Sequence, residues 1–214
     1  MTSGYTDFMY QIAVANNKGG VGKTTTSVAL ATLLSGKAST LLVDADEKTR
    51  GSLDWHQAGS GLPCDVMTIE GTQSADLSRY EYIVLDTKAG EDASDLLRIA
   101  QQVDLLIVPT KADAVSLRAL VRTLVPLVEA GVTNYRVLIL DVPPPPSSNG
   151  HEARRSLMRE DVPVFARDIR RASAFEKASL AGIPVGMVRG DRYARLASMD
   201  YELVLDEILK GVPA

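Results

Sequence analysis

The chain has 214 residues, of which 45% are hydrophobic and 23% charged, and this profile excludes disordered and fibrous proteins. Its 27 acidic and 23 basic residues give a net charge of -4, so any contact with nucleic acid must be a local basic patch. Cys64 is the only cysteine, which excludes an internal disulfide framework and metal sites built from several thiolates, and favours a reducing compartment. We predict a single domain over residues 1–214.

The N-terminus lacks a basic stretch followed by a long apolar one. No apolar run approaches the ~20 residues that span a bilayer. We therefore expect a soluble, cytoplasmic protein without a membrane partner.

Short runs rich in Val, Ile and Leu alternate along the chain with longer stretches of helical pattern. The apolar runs are typical of parallel strands buried on both faces, and they cover 12–15, 40–43, 82–85, 104–108 and 137–140. The helical stretches cover 24–35, 93–102, 115–130, 172–181 and 193–209. The alternation predicts an α/β fold with a doubly wound, mostly parallel sheet flanked by helices. The run PPPPSSNG at 143–150 is expected to be a surface loop, because its four prolines remove four hydrogen-bond donors.

The segment KGGVGKTT lies between the first predicted strand and the first predicted helix. Its glycines permit positive φ angles and bring backbone N–H groups to phosphate oxygens at a helix N-terminus. Lys23 would reach the β- and γ-phosphates, and the Thr24 hydroxyl would bind Mg²⁺, a cation that prefers oxygen ligands. We predict that Mg·ATP is bound by Lys18, Gly19, Gly20, Val21, Gly22, Lys23, Thr24 and Thr25.

One position departs from the general P-loop pattern G-x-x-x-x-G-K-[ST], because Asn17 stands where the first glycine would be. With its second lysine, Lys18, the loop resembles the deviant Walker A box of the ParA/MinD family of P-loop ATPases. The resemblance implies a homodimer that sandwiches ATP, in which Lys18 reaches the partner subunit's phosphates as a cation on developing charge. Lys18 and Lys23 are then expected to act in catalysis.

Carboxylates end two of the predicted strands. LLVDAD at 41–46 resembles the family's switch I segment, in which Asp46 would orient the attacking water and Asp44 would support the Mg²⁺ shell. YIVLD at 82–86 is similar to a Walker B strand, whose Asp86 would hold Mg²⁺ through water. The neighbouring residues that differ from the usual family pattern are Glu47, Lys48 and Lys88.

The tetrad Thr-Lys-Ala-Asp at 110–113 matches a guanine-recognition motif, but it follows the strand before the one expected to carry that motif. After the expected strand the chain reads Asp-Val-Pro-Pro at 141–144, and an apolar, proline-walled slot suits adenine. We therefore predict ATP rather than GTP, with an adenine site formed by Val142, Pro143 and Ile169.

Basic residues concentrate late in this acidic chain. DIRRASAFEK at 168–177 resembles the segment of partitioning ATPases that leads from the last core strand into a late helix, which favours a ParA-type protein. The resemblance implies DNA binding without sequence preference by basic residues assembled across the dimer. The candidates are Arg170, Arg171, Arg189, Arg192 and Arg195. The alternative is a solvated helix surface with ion pairs.

The resemblance implies a switch in which ATP assembles a dimer, the dimer binds nonspecific DNA on the nucleoid, and a ParB-like or cargo adaptor stimulates slow hydrolysis. The cargo could be a plasmid, a chromosome or a protein assembly. The alternatives are a MinD-like positioning ATPase and a small-molecule ATP-dependent ligase of the same fold. A MinD-like membrane tail would need basic residues beside its apolar face, whereas residues 199–214 carry mainly acidic ones.

Overall fold

The computed structural model describes residues 9–90 and 93–212. Its strands are β1 (Tyr10–Val14), β2 (Thr40–Asp44), β3 (Asp65–Thr68), β4 (Tyr82–Asp86), β5 (Leu105–Lys111) and β6 (Tyr135–Leu140). They form one sheet in the order β3-β2-β4-β1-β5-β6, and every named pair within the described residues is parallel. The predicted α/β fold is confirmed.

Helices cover both faces of the sheet. In chain order they are α1 (Lys23–Ser35), α2 (Gly51–Gln57), α3 (Ile69–Thr72), α4 (Ala93–Ala100), α5 (Ala114–Glu129), α6 (Asn149–Arg159), α7 (Ala174–Ala181) and α8 (Ala194–Leu209), with short 3-10 turns at Leu77–Arg79 and Val185–Met187. One core contains side chains of α1, α2, α7 and α8, including Leu30, Trp55 and Tyr201. The opposite core contains side chains of α4, α5 and α6. No helix in the described part of the chain is both long and apolar enough to cross a membrane.

Four of these strands and helices were absent from the sequence prediction: β3, α2, the one-turn helix α3, and α6. β3 lies at the edge of the sheet, and its sequence DVMT offers only two apolar side chains, both half-buried. α2 and α6 each bury few residues, so neither shows a long apolar stripe. The loop predicted for 143–150 was wrong over its last two residues, because α6 begins at Asn149.

The sheet brings the sequence motifs to one edge. β4 lies between β1 and β2, and Asp86 pairs in register with Val14 on one side and with Asp44 on the other. The chain reverses its direction of winding at β1, since α1 leads to β2 on one side and α4 leads from β4 to β5 on the other. Ligands of open α/β sheets bind at the carboxyl ends of the strands beside such a reversal.

Candidate nucleotide site

The glycine loop has a backbone that only glycine adopts readily. Gly20 and Gly22 have φ angles of 68° and 91°, and Gly22 forms the N-cap of α1 without a side-chain cap. A Cβ atom on Gly22 would lie 2.6 Å from Cδ1 of Leu140 at the end of β6. The first N–H groups of α1 are therefore left without a side-chain acceptor from the N-cap, which suits an anion at this helix end.

The two lysines of the loop have different surroundings. Lys23 is buried, and its Nζ donates a hydrogen bond to the carbonyl oxygen of Lys18 at 3.3 Å. Lys18 is exposed, and its Nζ donates to Oγ of Ser116 on α5 at 3.0 Å. That hydroxyl donates in turn to Oδ2 of Asp113 at 2.6 Å. Lys18 is thus held at the outer side of the loop against α5.

Asn16 connects the glycine loop to β5 and was not predicted as a site residue. Its Oδ1 accepts the Lys18 N–H at 3.0 Å, and its Nδ2 donates to the Pro109 carbonyl of β5 at 2.7 Å. The residue is buried, and a polar side chain at the end of a buried strand was the available signal. The structure therefore ties the loop to the neighbouring strand.

Asp86 is buried among hydroxyl groups. It accepts hydrogen bonds from Ser27 Oγ at 3.2 Å and Ser52 Oγ at 2.7 Å, and also from the Thr24 side chain. Burial and, to a smaller extent, the nearby Asp44 carboxylate raise the pKa of Asp86 to about 6, against the opposing effect of the hydroxyl donors. Ser52 is a second site residue that the sequence analysis missed. These oxygens of Thr24, Ser52 and Asp86 form a compact set of hard ligands.

Asp44 anchors the segment that follows β2. Its Oδ1 accepts the Asp46 N–H at 3.0 Å, and its Oδ2 accepts the N–H groups of Ser52 and Leu53 at 2.9 and 3.0 Å. Both oxygens therefore bind backbone N–H groups of the switch-like loop and of the first turn of α2. The predicted role of Asp44 beside Mg²⁺ stays a prediction, and its hydrogen bonds in the structure go to this loop.

Asp46 is partly exposed and accepts three local hydrogen bonds. The Thr49 N–H and hydroxyl donate to it at 3.0 and 2.9 Å, and the Lys48 N–H donates at 3.2 Å. Burial tends to raise its pKa, but these bonds and the positive charge of Lys23 hold the pKa of Asp46 below its ordinary value. Asp46 is therefore an ionised acceptor near Lys23, and its role in orienting water stays a prediction.

A cleft beside the glycine loop offers a place for the nucleoside. Ile169, predicted at the adenine, lines this cleft, whereas Val142 and Pro143 line a neighbouring cavity. β6 ends at Leu140, and the positive φ of 58° at Asp141 turns the chain away before the prolines. The other residues that line the cleft include Gly20, Val21, Gly22, Thr25, Lys111, Leu140, Asp141 and Phe175.

The tetrad at 110–113 has a structural role in this fold. Asp113 is the N-cap of α5, and its Oδ1 accepts the Ser116 N–H at 2.9 Å. Lys111 lines the cleft and lies 3.7 Å from Oδ2 of Asp141. The carboxylate that would read a guanine is thus bound to its own helix.

The five candidate DNA-binding arginines separate into two groups. Arg170 pairs with the buried Asp200 (Nε–Oδ2 2.6 Å), and Arg171 pairs with Asp141 (Nε–Oδ1 2.7 Å). The remaining three are exposed near the start of α8. Arg192 stacks on the Tyr193 ring at 4.6 Å from its centroid. Within the described residues, Arg189 and Arg195 have no ion-pair partner.

The glycine loop at the start of α1, the buried lysine and the Asp86 cluster at the end of β4 define a P-loop nucleotide-binding protein. The family described as the CobQ/CobB/MinD/ParA nucleotide binding domain matches residues 12–185, and the chain belongs to this family. The resemblance to ParA/MinD proteins is thereby confirmed.

Comparison with individual proteins agrees with this assignment. The chain is 36% identical over 203 residues to the "Maintenance of carboxysome distribution protein A" of Gloeobacter kilaueensis, covering 92% of this chain and 93% of that protein. It shares its fold with the Cyanothece McdA(D38A)-ATP complex (TM-score 0.71, 17% identity, 98% and 99% coverage). It also shares its fold with the MinC:MinD cell division protein complex of Aquifex aeolicus (TM-score 0.72, 18% identity, 96% and 97% coverage).

Proposed function

We propose that this protein is a Mg²⁺-dependent positioning ATPase that dimerises around ATP, binds nonspecific DNA, and hydrolyses ATP slowly when a cargo adaptor stimulates it. The placement of the two lysines carries the proposal. Lys23 is buried behind the loop where it can serve its own phosphates, whereas Lys18 is exposed at the outer side of the loop. An exposed lysine outside its own cleft is well placed to enter the site of a second subunit.

The donor set of the site fits Mg²⁺. Thr24 would bind the ion through its hydroxyl, and Asp86 would hold it through water, because hard cations prefer oxygen ligands. The raised pKa of Asp86 supports this assignment, since a cation beside a buried carboxylate stabilises its ionised form. When bound, Mg²⁺ supplies positive charge that stabilises the phosphate oxygens of the reacting nucleotide.

Side chains of the protein bind the phosphates, orient the water and stabilise the developing charge. Lys23 binds the β- and γ-phosphate oxygens and holds them in one orientation. The ionised Asp46 accepts a hydrogen bond from the attacking water and aligns it with the γ-phosphate. Lys18 of the partner subunit adds positive charge as the bond to the leaving oxygen breaks.

The proposed cargo is a protein assembly of the carboxysome kind. The support is the 36% identity, over most of both chains, to a protein named for carboxysome distribution. The likeness to solved plasmid-partition and cell-division proteins rests on identities of 17% and 18%, which carry only the fold. DNA on the nucleoid would be the track, bound through the exposed group Arg189, Arg192 and Arg195.

Two variants test the proposal. Lys18→Ala should bind ATP as a monomer but fail to form a dimer with a nonhydrolysable analogue, as measured by light scattering after size exclusion. Asp46→Ala should bind ATP and dimerise but lose turnover. A Lys18→Ala protein that dimerises and hydrolyses ATP like the wild type would contradict the sandwich, and undiminished turnover in Asp46→Ala would contradict the assignment of the water-orienting residue.

A further inference from the structure

A row of basic side chains lies along one exposed face of α6. His151, Arg155 and Arg159 follow one another at intervals of four residues, so they share a face of the helix, and all three are exposed. The opposite face packs into the core through Ala153 and Leu157. Nothing in the proposed nucleotide chemistry uses this face.

The arginines of this face carry uncompensated charge. Arg155 and Arg159 have no ion-pair partner among the described residues, whereas the adjacent Arg154 pairs with Asp168. The only acidic residue within α6, Glu152, accepts a hydrogen bond from Ser148. The face therefore presents two free guanidinium groups one turn apart in a chain whose net charge is -4.

The α6 face continues towards the start of α8. His151 and Arg154 of α6 line the same cavity as Arg167, Arg170 and Tyr193. The Arg192 guanidinium stacks on the Tyr193 ring. The basic row and the exposed arginines near α8 therefore border one surface.

The shape and chemistry of this face fit the backbone of a DNA duplex. The eight helical steps from His151 to Arg159 rise about 12 Å along the helix axis. A DNA strand has one phosphate per ~3.4 Å of axis, so the row spans three to four phosphates. Arginine binds phosphate through two parallel N–H donors, and α6 contains no Phe, Tyr or Trp on which a base could stack.

We propose that the exposed face of α6, centred on Arg155 and Arg159, contacts the phosphates of double-stranded DNA. This contact is additional to the arginines near α8, and it rests on the DNA binding in the proposed function. It carries no base information, because the guanidinium groups meet only the backbone.

The test compares two arginine pairs with the same spacing. The test variant is Arg155→Ala/Arg159→Ala, and the control is Arg118→Ala/Arg122→Ala on α5, whose arginines are also exposed, four residues apart and without an ion-pair partner in the described chain. Binding to two unrelated duplexes is measured over a salt series with full-length protein locked in its ATP state. Thermal unfolding and ATPase rate without DNA, measured in parallel, should match the wild type.

The expected result is selective for α6. The test variant removes two arginines from each subunit, so the dimer neutralises four fewer phosphates. The slope of log affinity against log salt should then flatten by about 3.6, at roughly 0.9 per phosphate. Affinity at about 100 mM salt should fall at least tenfold on both duplexes, while the α5 control stays near the wild type. Arg155→Lys/Arg159→Lys, which keeps the charge, should recover most of the binding.

Other outcomes would overturn the inference in different ways. If both alanine pairs weaken DNA binding equally, only the net charge of the protein matters. If the α6 pair binds DNA with wild-type affinity, α6 does not contact DNA, and the proposed function is unaffected. Binding of each protein to poly-glutamate is measured as well. If Arg155→Ala/Arg159→Ala loses binding to poly-glutamate but binds DNA like the wild type, the face belongs to an acidic protein partner. If the wild type binds no duplex in its ATP state, this inference and the DNA part of the proposed function both fail, whereas the ATP-dependent dimer is tested separately by Lys18→Ala.

Discussion

Replacing Ser116 with alanine should strengthen ATP-dependent dimerisation. The Ser116 hydroxyl accepts the hydrogen bond from Lys18 Nζ at 3.0 Å, so it holds the lysine on its own subunit. In the proposed sandwich dimer Lys18 must leave this position to reach the partner's phosphates. Alanine removes the acceptor but keeps the N-cap of α5, because Asp113 still accepts the Ser116 backbone N–H.

The size of the effect follows from the number of bonds released. A hydrogen bond of this kind contributes about 0.5–1.5 kcal/mol net, and one is broken in each subunit, so the restraint opposes the dimer by about 1–3 kcal/mol. At about 1.4 kcal/mol per tenfold change, the dimer dissociation constant should fall by roughly five- to 150-fold. Because Lys18 is exposed, we expect a value in the lower part of this range.

Sedimentation equilibrium with a nonhydrolysable ATP analogue measures the dimer constant directly. Ser116→Thr keeps a hydroxyl at this position and serves as the matched control, with a constant close to that of the wild type. Lys18→Ala checks that the lysine is needed at all. An equal or weaker dimer in Ser116→Ala, combined with loss of the dimer in Lys18→Ala, would refute the idea that Ser116 restrains the lysine.

Three further substitutions test the site and its support. Gly22→Ala should abolish nucleotide binding, measured by calorimetry, because Gly22 has a positive φ and the added Cβ would collide with Leu140 of β6. The control is Gly190→Ala, which should bind nucleotide normally, because Gly190 also has a positive φ (74°) but no atom lies within 4 Å of the added Cβ. The raised pKa of Asp86 means that its ionised form destabilises the nucleotide-free fold as pH rises through about 6. Asp86→Asn should therefore unfold like the wild type below about pH 4 and be up to about 3 kcal/mol more stable above pH 6; a difference independent of pH would contradict this. Asp200→Asn leaves two partly exposed arginines without their buried partner, so it should lose about 2–3 kcal/mol, seen as a melting temperature lower by about 4–12 °C; an unchanged melting temperature would contradict this.

The sequence predicted the elements that carry strong apolar patterns and the motif between them. Five of the six strands in the described sheet were found within a few residues, because each is a continuous apolar run covered by helices on both faces. β3 was missed because an edge strand of four residues needs few apolar side chains. α6 was missed because its exposed face is almost entirely polar and its buried face includes a glycine.

The candidate site was predictable where local sequence determines geometry and not where distant segments meet. The glycine loop and the acids at the strand ends are local features. Ser52 and Asn16 are not, since their importance depends on contacts with Asp86 and with β5. The turn at Asp141 was not predicted, because positive φ is uncommon outside glycine even for aspartate, and the adenine site stays a prediction.

The acids at the strand ends are connected directly to α2. Ser52, in the first turn of α2, donates its backbone N–H to Asp44 and its hydroxyl to Asp86. A cation or phosphate that changes the charge around Asp86 therefore changes the hydrogen bonds that hold this helix N-terminus. α2 is thus bonded directly to both acids of the proposed site.

The other end of α2 packs against the segment that leads to the exposed arginines. Trp55 Nε1 donates to the Ile183 carbonyl at 3.0 Å, and a Cβ on Gly59 would lie 2.1 Å from the carbonyl oxygen of Ala181. The backbone after α2 therefore packs closely against this turn, and packed interiors transmit displacement. Only a few residues separate this turn from Arg189 in the chain. The fold therefore places one short helix between the groups proposed to sense ATP and those proposed to hold DNA, which is the connection that a nucleotide-controlled DNA tether requires.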